Sequence, residues 1–194
     1  MNRYFGRSRQ VVSQPPFRCD GFVRDGIIAA ADGTPQPLSA LPPFLRTLLV
    51  TDGTVTKILE AYFWEPVTVD TLAQRFENAE ENLSWLALSS GEQCLIREAR
   101  LRGQDSNRSF AEAFSVIRPA QIPLDFRQRL IDREIGIGVL IRDSGLESYR
   151  EVLDVGLDCT ADGAAAVFRT YRIFMARQPV ILITESFPLA LYEQ

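Results

Sequence analysis

The chain has 194 residues, 46% of them hydrophobic and 24% charged, with a net charge of -4; this suits one globular domain with an ordinary core and excludes a disordered or fibrous protein. It holds no histidine, which removes the usual general base near neutral pH, the commonest metal ligand and every Ser-His or Cys-His nucleophile. The cysteines Cys19, Cys94 and Cys159 are odd in number and far apart, suggesting neither a disulfide framework nor a thiolate metal site and so a reducing compartment.

Residues 1 to about 40 are rich in Arg, Pro and Gly and read as an irregular lead-in, with a short strand at Gly26 to Ala31. Residues 41–194 then form the main domain. From Pro42 the spacing of Phe44, Leu45, Leu48 and Leu49 is helical, and Val55, Ile58, Leu59, Tyr62 and Phe63 repeat it after the turn Thr51-Asp52-Gly53-Thr54. Pro66 ends the second helix, and the period changes to two. Strands are predicted at Val67 to Leu72 and at Trp85 to Leu88, followed by a hairpin of Cys94 to Arg102 with Phe110 to Ile117. Asp125 to Gln128 resembles a capping box that opens a helix through Asp132. Gly136-Ile137-Gly138 interrupts it, and residues 139–143 make another helical turn. Three more strands follow at Tyr149 to Leu157, Ala166 to Met175 and Val180 to Phe187. Short connections favour an α+β fold, a single antiparallel sheet of about six strands with helices packed over one face.

No apolar run approaches the roughly 20 residues of a membrane helix, and no signal-peptide core follows the N-terminus. These features predict a soluble, cytoplasmic protein without membrane insertion. The net charge of -4 speaks against a broad nucleic-acid surface. Of 21 basic residues 20 are Arg, Lys57 being the exception; this bias suits carboxylate or phosphate partners and equally reflects genome base composition.

Two charges fall on predicted core faces. Alternation puts Arg97 with Leu95, Ala99 and Leu101, and Glu185 with Ile181, Ile183 and Phe187. A buried charge needs a partner. Either Arg97 and Glu185 form a salt bridge inside the sheet, or they face a cavity with a small polar aromatic or carboxylate ligand between them. Arg172, beside Phe168, Thr170 and Phe174, is a third charge of this kind, and a place at the sheet edge would account for it.

Four stretches in register, Thr51-Asp52-Gly53-Thr54-Val55-Thr56-Lys57, Leu95-Ile96-Arg97-Glu98, Ile137-Gly138, and Pro179 through Thr184-Glu185 to Phe187-Pro188, resemble the chorismate pyruvate-lyase (4-hydroxybenzoate synthase) family. The resemblance covers residues about 45 to 192. It implies a six-stranded antiparallel sheet whose helices cover a buried site. It also implies that Arg97 binds the ring carboxylate of chorismate, that Glu185 faces the 4-hydroxyl, and that backbone groups at Val55, Ile137 and Gly138 complete the enclosure. The ubiquinone-pathway enzymes carry Gly-Arg where this chain has Ala113-Phe114, so Arg118 and Arg172 become the stand-ins for an arginine on the pyruvyl carboxylate.

The implied activity is that of a carbon-oxygen lyase. Losing the enolpyruvyl ether and the neighbouring ring proton leaves an aromatic product, so no metal, flavin or nicotinamide cofactor is required. Glu185 is expected either to move that proton or only to orient the hydroxyl. The product could feed a quinone, a phenolic lipid or another pathway. The competing expectation is a non-catalytic sensor of aromatic carboxylates with the same fold, as in effector domains of bacterial regulators. Those carry a helix-turn-helix of about 60 to 70 residues, longer than the lead-in here.

Overall fold

The computed structural model describes residues 26–29, 34–132, 136–160 and 162–192. Its element order is β1 (Ile27–Ala29), β2 (Pro35–Pro37), α1 (Pro43–Val50), α2 (Val55–Phe63), β3 (Val67–Asn78), β4 (Gln93–Gly103), β5 (Ser109–Ile117), α3 (Leu124–Ile131), α4 (Ile137–Ser144), β6 (Ser148–Cys159), β7 (Ala165–Met175) and β8 (Gln178–Pro188). The helices are short because the sequence breaks them. Pro42 and Pro43 open α1, where a missing N–H costs nothing, and Gly145 ends α4 in the left-handed region at φ 64°.

Among the described residues all eight strands belong to one sheet, in the order β2-β1-β6-β7-β8-β5-β4-β3. The six long strands, β3 to β8, run antiparallel to their neighbours. The sheet therefore departs from the expected six antiparallel strands in two ways. The lead-in contributes β1 and β2, and β1 meets β6 in parallel at Ala29 and Gly156. Two three-residue strands set among Pro and Gly are too short to show alternation, which is why periodicity gave no sign of a mixed sheet.

The helices lie over one face. α1 and α2 bury Leu45, Leu48, Leu49, Val55 and Leu59 against Leu101, Val167 and Phe187, while α3 and α4 bury Phe126, Leu130, Leu140 and Ile141 against Leu95, Ile173 and Ile181. The opposite face is covered over Cys94, Ile96, Phe114 and Leu182 by the 79–88 loop with its Trp85 and Leu86.

Two local expectations fail. Trp85 to Leu88 is a 3-10 turn over Ser84–Leu86, reversed by Ala87 at φ 51° and closed by a bridge between Leu83 and Leu88. Its apolar run reflects burial of a loop rather than a strand. Asp125 caps nothing: Pro123 holds the N-cap position of α3, and Gln128 donates forward to Asp132 at 3.1 Å instead of back to an N-cap.

Candidate active site

The site begins as a row of residues across the sheet. Register pairs Ala99 with Ala113, Ala113 with Glu185, and Glu185 with Arg169. The adjacent row pairs Arg97 with Ser115, Ser115 with Ile183, and Ile183 with Tyr171. Ala99, Ala113 and Ser115 are small, so the helix-facing side of the sheet is hollow where its neighbours carry leucine, isoleucine and phenylalanine. The hollow contains about 590 Å³ of unfilled space, with its mouth and the open solvent there included.

Arg97, Glu185, Val55, Ile137 and Gly138 all line this cavity. Arg97 and Glu185 are buried, and they do not pair with each other. Arg97 Nη2 donates to Thr71 Oγ1 at 2.8 Å, on the neighbouring strand β3. The Glu185 carboxylate is held by Arg169, whose Nε donates to Oε2 at 2.9 Å with Nη2 2.8 Å from the same oxygen. Tyr171 donates its hydroxyl to Oε1 at 3.1 Å. Burial, reinforced by the Glu185 charge, pushes the Tyr171 phenol well above its ordinary range, so it stays a donor.

Arg169 has a second task. Its Nη1 donates to the carbonyl oxygens of Leu48 at 2.7 Å and Thr51 at 2.6 Å, groups at the end of α1 that the helix itself leaves unsatisfied. No basic residue stands in the last turn of α1, so this strand arginine supplies the positive charge that such an end favours. One guanidinium thus joins Glu185 to the turn between α1 and α2.

That turn is one lip of the cavity and the start of α4 is the other. Val55 is the first residue of α2 and Ile137 the first of α4. The first turn of each helix leaves backbone N–H groups without intrahelical acceptors, at the positive end of the helix dipole. A Cβ on Gly138 would come within 3.2 Å of Thr54 Cγ2, and one on Gly136 within 3.1 Å of Val69 Cγ2. The two glycines therefore let the helix starts close over the hollow. The cavity wall combines two helix N-termini with Arg97 and Arg150, and Glu185 is the one acidic side chain among its described residues. Such a wall favours an anion. Among the described residues no three Cys, Asp or Glu side chains converge as metal ligands would.

The two expected stand-ins lie elsewhere. Arg118 pairs with Glu92 at 3.2 Å, while Arg172 pairs with Glu151 at 2.7 Å, donates to the Trp85 carbonyl and covers the Phe174 ring. Neither lines the cavity. Arg172 shares the loop-covered face of β7, where alternation from Arg169 puts it. The sequence reading overlooked Arg169 and Tyr171, although they alternate with Val167, Ile173 and Met175, as Arg97 does with its apolar neighbours.

A family model described as chorismate pyruvate-lyase, Rv2949c-like, matches residues 49–194. A Mycobacterium leprae protein named chorismate pyruvate-lyase is 31% identical over 159 residues, 77% of this chain and 76% of that one. Its namesake from Mycobacterium tuberculosis strain H37Rv is 27% identical over 165 residues, 78% and 83% of the two chains. Among solved structures, the effector domain of PhnF from Mycobacterium smegmatis shares the fold, with a TM-score of 0.54 at 14% identity over 70% of this chain and 88% of that one. Among the described residues no helix is long and apolar enough to cross a membrane. With the match running over most of its length, the chain belongs to the Rv2949c-like chorismate pyruvate-lyase family.

Proposed function

We propose that the protein eliminates pyruvate from chorismate and leaves 4-hydroxybenzoate in the cavity between the sheet and the starts of α2 and α4. The observation that carries the reading is the placement of buried Arg97 and buried Glu185 on one hollow, with two helix N-termini above it. In this reading Arg97 takes the ring carboxylate through charge-assisted hydrogen bonds. The N–H groups at the starts of α2 and α4, with Gly138 giving close approach, enclose the anion. Glu185 faces the ring hydroxyl and the carbon that bears it.

The bond between the ring and the ether oxygen breaks, and its electron pair leaves with enolpyruvate. The hydrogen on the hydroxyl-bearing carbon departs as a proton, the ring becomes aromatic, and enolpyruvate takes up a proton to become pyruvate. This balance needs no redox partner. The chain's work is to hold the ring still, stabilise the leaving anion and receive or relay one proton. Arg169 and Tyr171 fix the Glu185 carboxylate for that purpose, so little reorganisation is needed at the moment of reaction.

The test is pyruvate release from chorismate by the purified protein, with 4-hydroxybenzoate identified chromatographically. Arg97→Ala should weaken binding of chorismate and of 4-hydroxybenzoate alike, by roughly 2–5 kcal/mol, because substrate, transition state and product all carry the ring carboxylate. Glu185→Gln should lower kcat more than it raises KM; an unchanged kcat would restrict Glu185 to orienting the hydroxyl. A protein that binds 4-hydroxybenzoate yet releases no pyruvate from chorismate is a sensor, and the lyase reading fails.

A further inference from the structure

Chorismate has a second carboxylate, on the enolpyruvyl group that departs, and Arg97 answers only one. We propose, building on the lyase reading above, that Arg150 on β6 is the specificity-determining residue for that second carboxylate. Arg150 lines the cavity, whereas Arg118 and Arg172 do not. It is half-buried, and its Nη1 donates to the Asp52 carbonyl oxygen at 2.8 Å. The other guanidinium hydrogens have no acceptor among the described residues, so a planar fork remains for a carboxylate. Asp52 adjoins Thr51, whose carbonyl accepts from the Arg169 guanidinium that holds Glu185, which puts the head of Arg150 toward the Glu185 end of the hollow.

Strand order supplies the spacing. Along β4-β5-β8-β7-β6, Glu185 on β8 lies two strands from Arg97 on one side and two from Arg150 on the other, about 10 Å each way across the sheet at roughly 4.8 Å per strand, while along the strands Arg97 aligns with Ile183 and Arg150 with Ile181, two and four positions from Glu185. In chorismate the hydroxyl-bearing carbon stands across the ring from the carboxylate-bearing carbon and next to the ether-bearing one. The two carboxylates therefore leave the ring in different directions, with the hydroxyl beside the enolpyruvyl group, so Arg97 and Arg150 on opposite sides of Glu185 can each take one of them. A product retaining only the ring carboxylate has nothing for Arg150 to hold, and the departing enolpyruvate anion leaves beside a cation at the turn.

The experiment compares wild type, Arg150→Met, Arg150→Gln and Arg150→Lys by chorismate kinetics and by direct binding of chorismate and of 4-hydroxybenzoate. Glutamine retains a donor for the Asp52 carbonyl, which separates loss of charge from collapse of the turn. Met and Gln should each lower kcat/KM for chorismate by about 30-fold or more and weaken chorismate binding, while 4-hydroxybenzoate affinity stays within about 2-fold. Lys should restore part of the loss. Equal loss of affinity for both ligands, or chorismate binding unchanged in Met and Gln, overturns the proposal. A wild type that releases no pyruvate sinks the lyase reading instead, and the two binding measurements still decide whether Arg150 tells the two ligands apart.

Discussion

Removing Arg169 should expose how much of the molecule depends on one buried guanidinium. Its side chain is 1% exposed and its partner Glu185 is 9% exposed, so in Arg169→Met the carboxylate loses its cation where water cannot replace it. Breaking a buried pair from one side costs about 3–5 kcal/mol. The Leu48 and Thr51 carbonyls lose their donor as well, adding about 1 kcal/mol, for a total near 5 kcal/mol out of the roughly 5–15 kcal/mol that such a domain has. Glu185→Gln leaves the arginine its two carbonyls and should cost about 3 kcal/mol. The double variant has neither charge and should cost about 5 kcal/mol rather than the sum of about 8, a coupling near 3 kcal/mol. Urea unfolding measures it: at about 2 kcal/mol per M, Arg169→Met should lower the midpoint by about 2.5 M. Arg169→Lys, which retains the charge but not the fork, should fall between and gives a folded variant if Met does not. Additive losses, with coupling under about 0.5 kcal/mol, would show that Arg169 and Glu185 do not act as a pair.

Gly138→Ala places a Cβ against Thr54 Cγ2 at 3.2 Å and should raise KM for chorismate several-fold by pushing the two cavity lips apart; Thr54→Ser, which deletes that methyl, should restore it, and steady-state kinetics on the double variant checks this. Tyr171 and Tyr192 are buried and both phenols are pushed above their ordinary range, chiefly by burial. The unfolded chain therefore loses these protons near pH 10 while the folded chain retains them. Stability should be unaffected below that pH and fall above it by up to about 1.4 kcal/mol per pH unit for each tyrosine. Urea midpoints from pH 9 to 11 measure the fall, which Tyr171→Phe should reduce; a flat profile refutes the assignment. Arg118→Ala and Arg172→Ala should leave kcat and KM for chorismate within about 2-fold, since neither side chain reaches the cavity; a larger loss in kinetics would show that the site extends through the sheet.

What the sequence revealed of the site follows from alternation in long strands. β4 and β8 each run for 11 residues, long enough that Arg97 and Glu185 stand out against apolar neighbours on one face. Arg169 satisfies the same criterion on β7, yet Arg172 drew attention instead, because Thr170 and two phenylalanines made the wrong face look equally apolar. The partners of these charges were not legible: Glu185 meets Arg169 through β7–β8 register and Arg97 meets Thr71 through a strand that bulges between Thr71 and Ala73, and register is a property of two segments together. The parallel contact of β1 and the loop character of Trp85 to Leu88 were hidden for a related reason. Short apolar runs look alike whether they pair, turn or fill a gap.

The cavity itself is written in the sequence as small residues in unremarkable places. Ala99, Ala113 and Ser115 would pass as ordinary strand positions, and Gly136 and Gly138 as a helix break; only the register that sets the first three side by side, beneath the helix starts the glycines bring together, makes them a hollow. The fold does not by itself choose a chemistry, since the PhnF effector domain shares it. In this chain the choice rests on what borders the hollow: one carboxylate held by an arginine and a tyrosine, and cations on either side of it. A dicarboxylate that sheds one of its carboxylates on becoming aromatic is the kind of molecule for which each of those charges has a use.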